Sequence, residues 1–260
     1  VTETVTVSVT VIAVNDAPVN TAPGSASTAE DATLAFSGAS LISVGDVDAA
    51  SLTVTLTVSN GTLTLGSLAG LTFTTGDGTS DASMTFSGSK AALNAALATL
   101  TFAPTADYNG AATLTVLTSD GSLTDSDSVA ITITAVADIT ADSVSTREDT
   151  AITFNAITGT NGATADTFEN AGRAITSVTQ GANGSVTFLA NGSISYTPNA
   201  DFNGTDSFSY TVTSGGVTET VTVSVTVIAV NDAPLASAPA LVTAEDTSAT
   251  GTVTAADVDG

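Results

Sequence analysis

Period-two alternation of branched apolar and hydroxyl side chains constrains this chain more than any other feature. In "TVTVSVTV" (4–11), Val5, Val7, Val9 and Val11 share one face and Thr or Ser the other. "SLTVTLTVS" (51–59), "ATLTVLT" (112–118), "SVAITITAV" (128–136) and "DSFSYTVT" (206–213) repeat the pattern. Successive strand side chains point to opposite faces, so these segments predict half-buried antiparallel strands. Turn chemistry separates them. Asn60-Gly61, Asn183-Gly184 and Asn191-Gly192 are hairpin signals, because Asn and Gly accept the positive φ of a tight turn. "SDGS" (119–122) and "SGG" (214–216) are expected to join the last two strands of two successive domains. One segment departs from the pattern. "SKAALNAALATL" (89–100) sets Leu93, Leu97 and Leu100 at helical spacing among strong helix formers, predicting one short helix before a strand at 101–103. The expected class is an all-β sandwich.

Repetition sets the organisation. Residues 1–18 and 217–234 both read "VTETVTVSVTVIAVNDAP". No fold demands identity over that length, so recent duplication within a tandem array is the reading. "AVNDAP" (13–18), "AVADIT" (135–140) and "AVNDAP" (229–234) each close a long alternating strand. They predict a terminal strand of a preceding repeat at 1–16, complete domains at 17–137 and 138–232, and the start of a third at 233–260. Both complete domains carry an early "ED" (Glu30-Asp31, Glu148-Asp149) and a late "P-x-A-D-aromatic-N-G" ("PTADYNG" at 104–110, "PNADFNG" at 198–204).

The formal net charge is −23, and Lys90, Arg147 and Arg173 are the only cations. Nothing here would neutralise phosphates, which excludes nucleic-acid and anionic-membrane binding. No apolar run is long enough for a membrane span. At 42% hydrophobic residues, the chain is too apolar to be a disordered acidic tract. It has no Cys and no His, so disulfides, thiolate metal sites and Ser-His-Asp catalysis are out. Asp125 and Asp127 lie where nothing would separate their pKa values for hydrolysis, and no enzyme is expected. The Asn-Gly-Thr/Ser triplets read as turns rather than glycosylation acceptors, and the Phe and Tyr residues as core.

Acidic residues recur at matching places. They sit in the linkers (Asn15-Asp16, Asp138, Asn231-Asp232) and about ten residues into each domain (Glu30, Glu148, Glu245). They sit also in a D-x-D ("GDVDA" with Asp46 and Asp48, "ADVDG" with Asp257 and Asp259) and in the "AD(Y/F)NG" turn (Asp107, Asp201). Strand ends and linkers gather at the ends of a sandwich, and crowded carboxylates with few cations call for a bound one. Calcium fits, since it takes six to eight oxygens and tolerates mixed carboxylate and carbonyl ligands. The linker at Asp138 departs from the pattern: Ala137 replaces Asn, and "ADTFENAG" (165–172) offers Asp166 and Glu169 in place of a D-x-D. The "ED" aspartates Asp31, Asp149 and Asp246 read equally as strand-start or turn residues.

The combination of "VNDAP", "AEDT", "DVDG" and "PNADFNGTDSFSYTV" resembles the bacterial cadherin-like repeats of giant surface adhesins, including those exported by type I secretion. The resemblance covers essentially the whole chain. It implies tandem Greek-key (Ig/cadherin-like) β-sandwiches with Ca2+ at the linkers. One ligand set would be Glu148, Asp201, Asn231 through its carbonyl, Asp232, Asp257 and Asp259. A second would be Asn15, Asp16, Asp46 and Asp48, and a third Glu30, Asp107 and Asp138. The implied function is a non-enzymatic extender of a secreted or cell-surface adhesin, fibre or biofilm matrix, with neighbouring repeats of the same chain as partners. The alternative is a module, best placed in 17–137, that binds polysaccharide or a partner protein. A further possibility is self-association into fibres through strand addition by residues 1–14.

Overall fold

The computed structural model describes residues 2–257. The chain divides into two compact units, Val1–Val136 and Ala137–Gly260.

The first unit contains β1 (Val19–Thr21), β2 (Ser25–Ala29), β3 (Leu34–Ala35), β4 (Ser43–Gly45), β5 (Ser51–Val58), β6 (Gly61–Leu65) and β7 (Leu71–Thr75). After these come β8 (Ser83–Ser89), helix α1 (Lys90–Leu97), β9 (Leu100–Pro104), β10 (Gly110–Ser119) and β11 (Thr124–Thr134). A six-stranded sheet in the order β2-β11-β10-β5-β8-β7 packs on a three-stranded β3-β9-β6 sheet, and β1 pairs with β4. The helix fills one side of the sandwich. Ser89 caps it by accepting the Ala92 N–H, and Leu93, Ala96 and Leu97 are its buried face. Asn94 ties it to β4, its side chain donating to the Val44 carbonyl and accepting from the Val44 N–H, both at 2.9 Å. Phe36, Phe86 and Phe102 centre the core.

The second unit contains β12 (Asp142–Arg147), β13 (Ile152–Asn155), β14 (Ala174–Val178), β15 (Gly184–Phe188), β16 (Ser193–Pro198), β17 (Gly204–Ser214) and β18 (Val217–Ile228). Sheets β12-β18-β17-β14 and β13-β16-β15 face each other over Phe154, Tyr196, Tyr210, Val223 and Val225. A last pair, β19 (Leu235–Ser237) with β20 (Thr254–Ala256), follows. In both units the early strand joins the final one in parallel, β2 on β11 and β12 on β18. The fold is thus all-β, two Ig/cadherin-like sandwiches with one short helix near residue 90. Among the described residues no helix is long and apolar enough to cross a membrane.

Two expectations need correction. The strand expected at 4–11 is absent, since residues 2–18 have no regular secondary structure. The identical sequence at 217–228 is β18, flanked by β12 and β17. Val223 is fully buried there, whereas its counterpart Val7 is 79% exposed. The difference is the presence of partners: alternation prepares a strand, but ladder bonds and an opposing sheet make it. The hairpin glycines also differ in role. Asn60 and Gly192 adopt positive φ as expected, while Gly61 and Gly184 do not and lie instead against aromatic rings.

Candidate metal sites

Each sandwich ends in the same clamp. In the first unit the Glu30 N–H donates to Thr134, the last residue of β11, at 3.0 Å. The Glu30 carboxylate then accepts the Val136 N–H at 2.6 Å and the Asn109 amide at 3.3 Å. In the second unit Glu148 repeats this: its N–H donates to Ile228, and its oxygens accept from Val230 N–H and the Asn203 amide. Both glutamates are buried, 4% and 3% exposed. The "AD(Y/F)NG" turn supplies the asparagine, and its aspartate takes a left-handed conformation, φ 56° at Asp107 and 58° at Asp201. The early glutamate therefore anchors the chain as it leaves its own sandwich. Each oxygen keeps a second lone pair for an ion.

In the first unit the structure draws together Asp16, Asp46 and Asp48. Asp46 Oδ1 accepts the Asp48 and Ala49 N–H groups, both at 2.7 Å, as a short acidic turn does. Asp48 Oδ2 accepts the Asp16 N–H at 2.9 Å. Asn15 donates to Asp120 at 2.7 Å. Together with the Leu123 and Ser122 N–H groups, that bond holds the Asp120 carboxyl below its ordinary range; the Leu123 bond is the largest cause. Asp46 Oδ2 is buried and receives no hydrogen bond among the described residues. Asp16 and Asp46 line an open groove with Val19 and Val47.

In the second unit, carboxylate oxygens of Asp149, Asp201 and Asp232 all lie within 4.8 Å of one another. The Asp201 N–H also donates to Asp149 at 3.2 Å. Three segments meet here: the residue after the Glu148 anchor, the "ADFNG" turn, and the "ND" that follows β18. All donors are hard oxygens, three of them charged, which suits Ca2+ and not a soft metal. Asp201 and Asp232 were expected at this place. Asp149, read equally as a turn residue, supplies the third carboxylate, and Asn231 turns its amide to the Asp232 carbonyl at 2.9 Å. Asp257 is exposed and stands outside this trio, and Asp259 lies outside the described residues.

A second set of acidic residues in the same unit includes two, Asp142 and Asp166, beside the Tyr210 hydroxyl. Asp138 is buried, and its N–H and that of Ile139 donate to the Glu219 carboxylate at 3.1 and 3.2 Å. Asp166 accepts from the Thr140 N–H at 2.9 Å and from the Tyr210 hydroxyl at 3.3 Å. Asp142 accepts the Thr164 N–H at 2.7 Å. Burial pushes Asp142 up. It pushes Asp166 up to about 6; the Thr140 and Tyr210 donors oppose the rise, and the charges of Asp142 and Glu219 add to it. The Tyr210 hydroxyl is raised chiefly by burial, then by the Asp142 and Asp166 charges. A raised carboxyl means that the folded state holds the proton more tightly, so this stabilisation is complete below the unfolded value and lost through the folded one. In chelator, the second unit's melting temperature should fall as pH rises from about 4 to above about 6. Calorimetry across that window should show the slope, and Asp166→Asn should flatten most of it; an equal slope in the variant would place the titration elsewhere.

Residues 133–226 match the family model described as the bacterial Ig domain. No curated protein matches the chain. Similar solved structures include an endo-fucoidan hydrolase from glycoside hydrolase family 107, at 21% identity over 82% of this chain and 29% of that one, TM-score 0.29. Drosophila N-cadherin EC1-3 is similar at 13% identity over 83% of this chain and 69% of that one, TM-score 0.30. The C-terminal domain of the Streptococcus agalactiae AgI/II polypeptide BspA is similar at 10% identity over 78% and 95%, TM-score 0.28. The chain spans less than a third of the hydrolase's length. The match to the bacterial Ig-domain model runs from the end of β11 through most of β18, in a chain of two Ig/cadherin-like sandwiches.

Proposed function

We propose that this chain is a non-enzymatic extender segment of an extracellular bacterial adhesin or surface fibre, whose repeats are stiffened by calcium where one ends and the next begins. The observation that carries this reading is the trio Asp149, Asp201 and Asp232. An ion there would fasten the "ND" segment leaving β18 to the two turns beside the Glu148 anchor. Without it, three carboxylates at such separation repel and the outgoing chain is freer to move. The bacterial Ig-domain match and the 18-residue sequence repetition support an array. The longest strand, of 12 residues, spans about 40 Å at about 3.3 Å per residue, so repeats in series reach far.

Extracellular modules of this kind bind calcium at about 10⁻⁴–10⁻³ M. At about 10 mM calcium, linkage gives about 1.5–2.5 kcal/mol, or a rise of about 5–15 °C in the melting temperature. Calorimetry and small-angle scattering, with calcium and then with chelator, should show a higher melting temperature and a longer particle in calcium. Asp232→Ala should remove much of both effects. Indifference to calcium would make these aspartates turn residues and remove calcium from the stiffening role.

A further inference from the structure

One buried carboxylate of the second unit points to a ligand. Asp142 opens β12 and is only 2% exposed. One oxygen accepts the Thr164 N–H, while the other is buried and receives no hydrogen bond among the described residues. An ionised carboxylate so placed is costly unless a positive charge sits beside it.

Its neighbours do not supply one. They are the Asp166 carboxylate and the Tyr210 hydroxyl, whose properties respond to the Asp142 charge. The hydroxyl has one proton and gives it to Asp166. It also lies within reach of Asp142, and with that one proton it can serve only one of the two carboxylates at a time, leaving an oxygen of the other to a cation. Arg173, one of this unit's two arginines, donates instead to the Asn170 carbonyl.

We propose that Asp142, Asp166 and the Tyr210 hydroxyl form a cation site inside the second sandwich, built for a hard divalent ion of the Ca2+ class. The donors are all oxygen, two of them charged, and water completes the shell. This site is separate from the Asp149–Asp201–Asp232 trio and stands whether or not that trio binds calcium.

Terbium(III), a luminescent stand-in for Ca2+, tests it on the full chain. The chain has no Trp and three Tyr, so tyrosine excitation reports ions held next to a phenol ring. Wild type should show sensitised terbium emission that added Ca2+ displaces. Asp142→Asn, which keeps the shape and removes the charge, should fold and lose at least about five-fold of the emission at limiting terbium. Tyr210→Phe should lose it too, while Asp232→Ala should keep it. Calorimetry gives a second sign: Asp142→Asn should melt higher than wild type in chelator and gain less from calcium. Emission that survives both Asp142→Asn and Tyr210→Phe would overturn the proposal. So would an Asp142→Asn variant stabilised equally in chelator and in calcium, since that would mean the buried acid holds a proton instead.

Discussion

Asp206→Ala should cost the second unit about 3–5 kcal/mol, which would bring a 90-residue sandwich close to unfolding. Asp206 starts β17 on the side that carries Phe208 and Tyr210, so it faces inward, 8% exposed. Its carboxylate accepts the buried Tyr196 hydroxyl at 2.8 Å and the N–H groups of Ala182, Asn183 and Ser207 at 3.0, 2.9 and 2.8 Å. Burial alone would raise its pKa, yet these donors outweigh burial and hold it below the ordinary range. The same bond, with burial as the larger cause, raises the Tyr196 hydroxyl. Truncation leaves several donors unmet, each costing about 1–3 kcal/mol where buried. Tyr196→Phe removes one donor and should cost only about 1–2 kcal/mol. A depressed folded pKa means this contribution is present above the unfolded value, about 3.9, and lost as pH falls through the folded one. Urea unfolding should therefore show wild type and Asp206→Ala converging in acid. A loss below about 1 kcal/mol at neutral pH would show that water replaces the carboxylate.

The alternating strands, the helix at 90–97 and the paired sandwiches were legible because each is a local pattern repeated along the chain. Partnership was not. The identical residues of 2–18 and 218–234 differ in structure because only the second copy meets β12 and β17. The acidic sites were legible to the extent that they recur. Asp16, Asp46 and Asp48 meet in one unit, and Asp201 and Asp232 in the other. Asn109 and Asn203 stood in a quoted motif but read as turn residues, because nothing local shows that their amides reach Glu30 and Glu148. Asp149 hid for the same reason, since a positive-φ turn explains an aspartate without any ion. Asp142 carried no signal, because recurrence was the detector and its counterpart by strand register in the other repeat is Gly24.

These two kinds of polar residue divide the labour of a repeat. Asp206 and the Glu30 and Glu148 clamps accept protein donors on both carboxylate oxygens and hold each sandwich with or without a bound ion. Asp46 and Asp142 each have a buried oxygen without a hydrogen bond among the described residues, and the Asp149 trio crowds three carboxylates. A chain of net charge −23 with three cations has to meet that surplus from solution. On the proposed function, calcium adds to unit stability and sets junction stiffness, on top of what the clamps supply without it.

Gly61→Ala should be the other severe change, at about 3 kcal/mol or more, although it adds one methyl group. Gly61 opens β6 opposite Pro104 of β9 and has an ordinary strand conformation, so the cost is steric. A Cβ there would sit 2.2 Å from the Phe102 ring and 2.4 Å from the Ala103 carbonyl oxygen. Phe102 is fully buried and the carbonyl belongs to the paired strand, so neither side can yield without opening the β6–β9 ladder. Gly184 has the same relation to Tyr196, whose ring atoms would lie 2.4–2.5 Å from the new Cβ. There the ring can move only by leaving Asp206, so Gly184→Ala and Tyr196→Phe should combine less than additively. Gly24→Ala is the control: nothing lies within 4 Å of its Cβ position, and the effect should stay within about 0.5 kcal/mol. Chemical unfolding of the three alanine variants would check this order. A Gly61→Ala protein as stable as Gly24→Ala would mean that the sheet under Phe102 is looser than these distances allow.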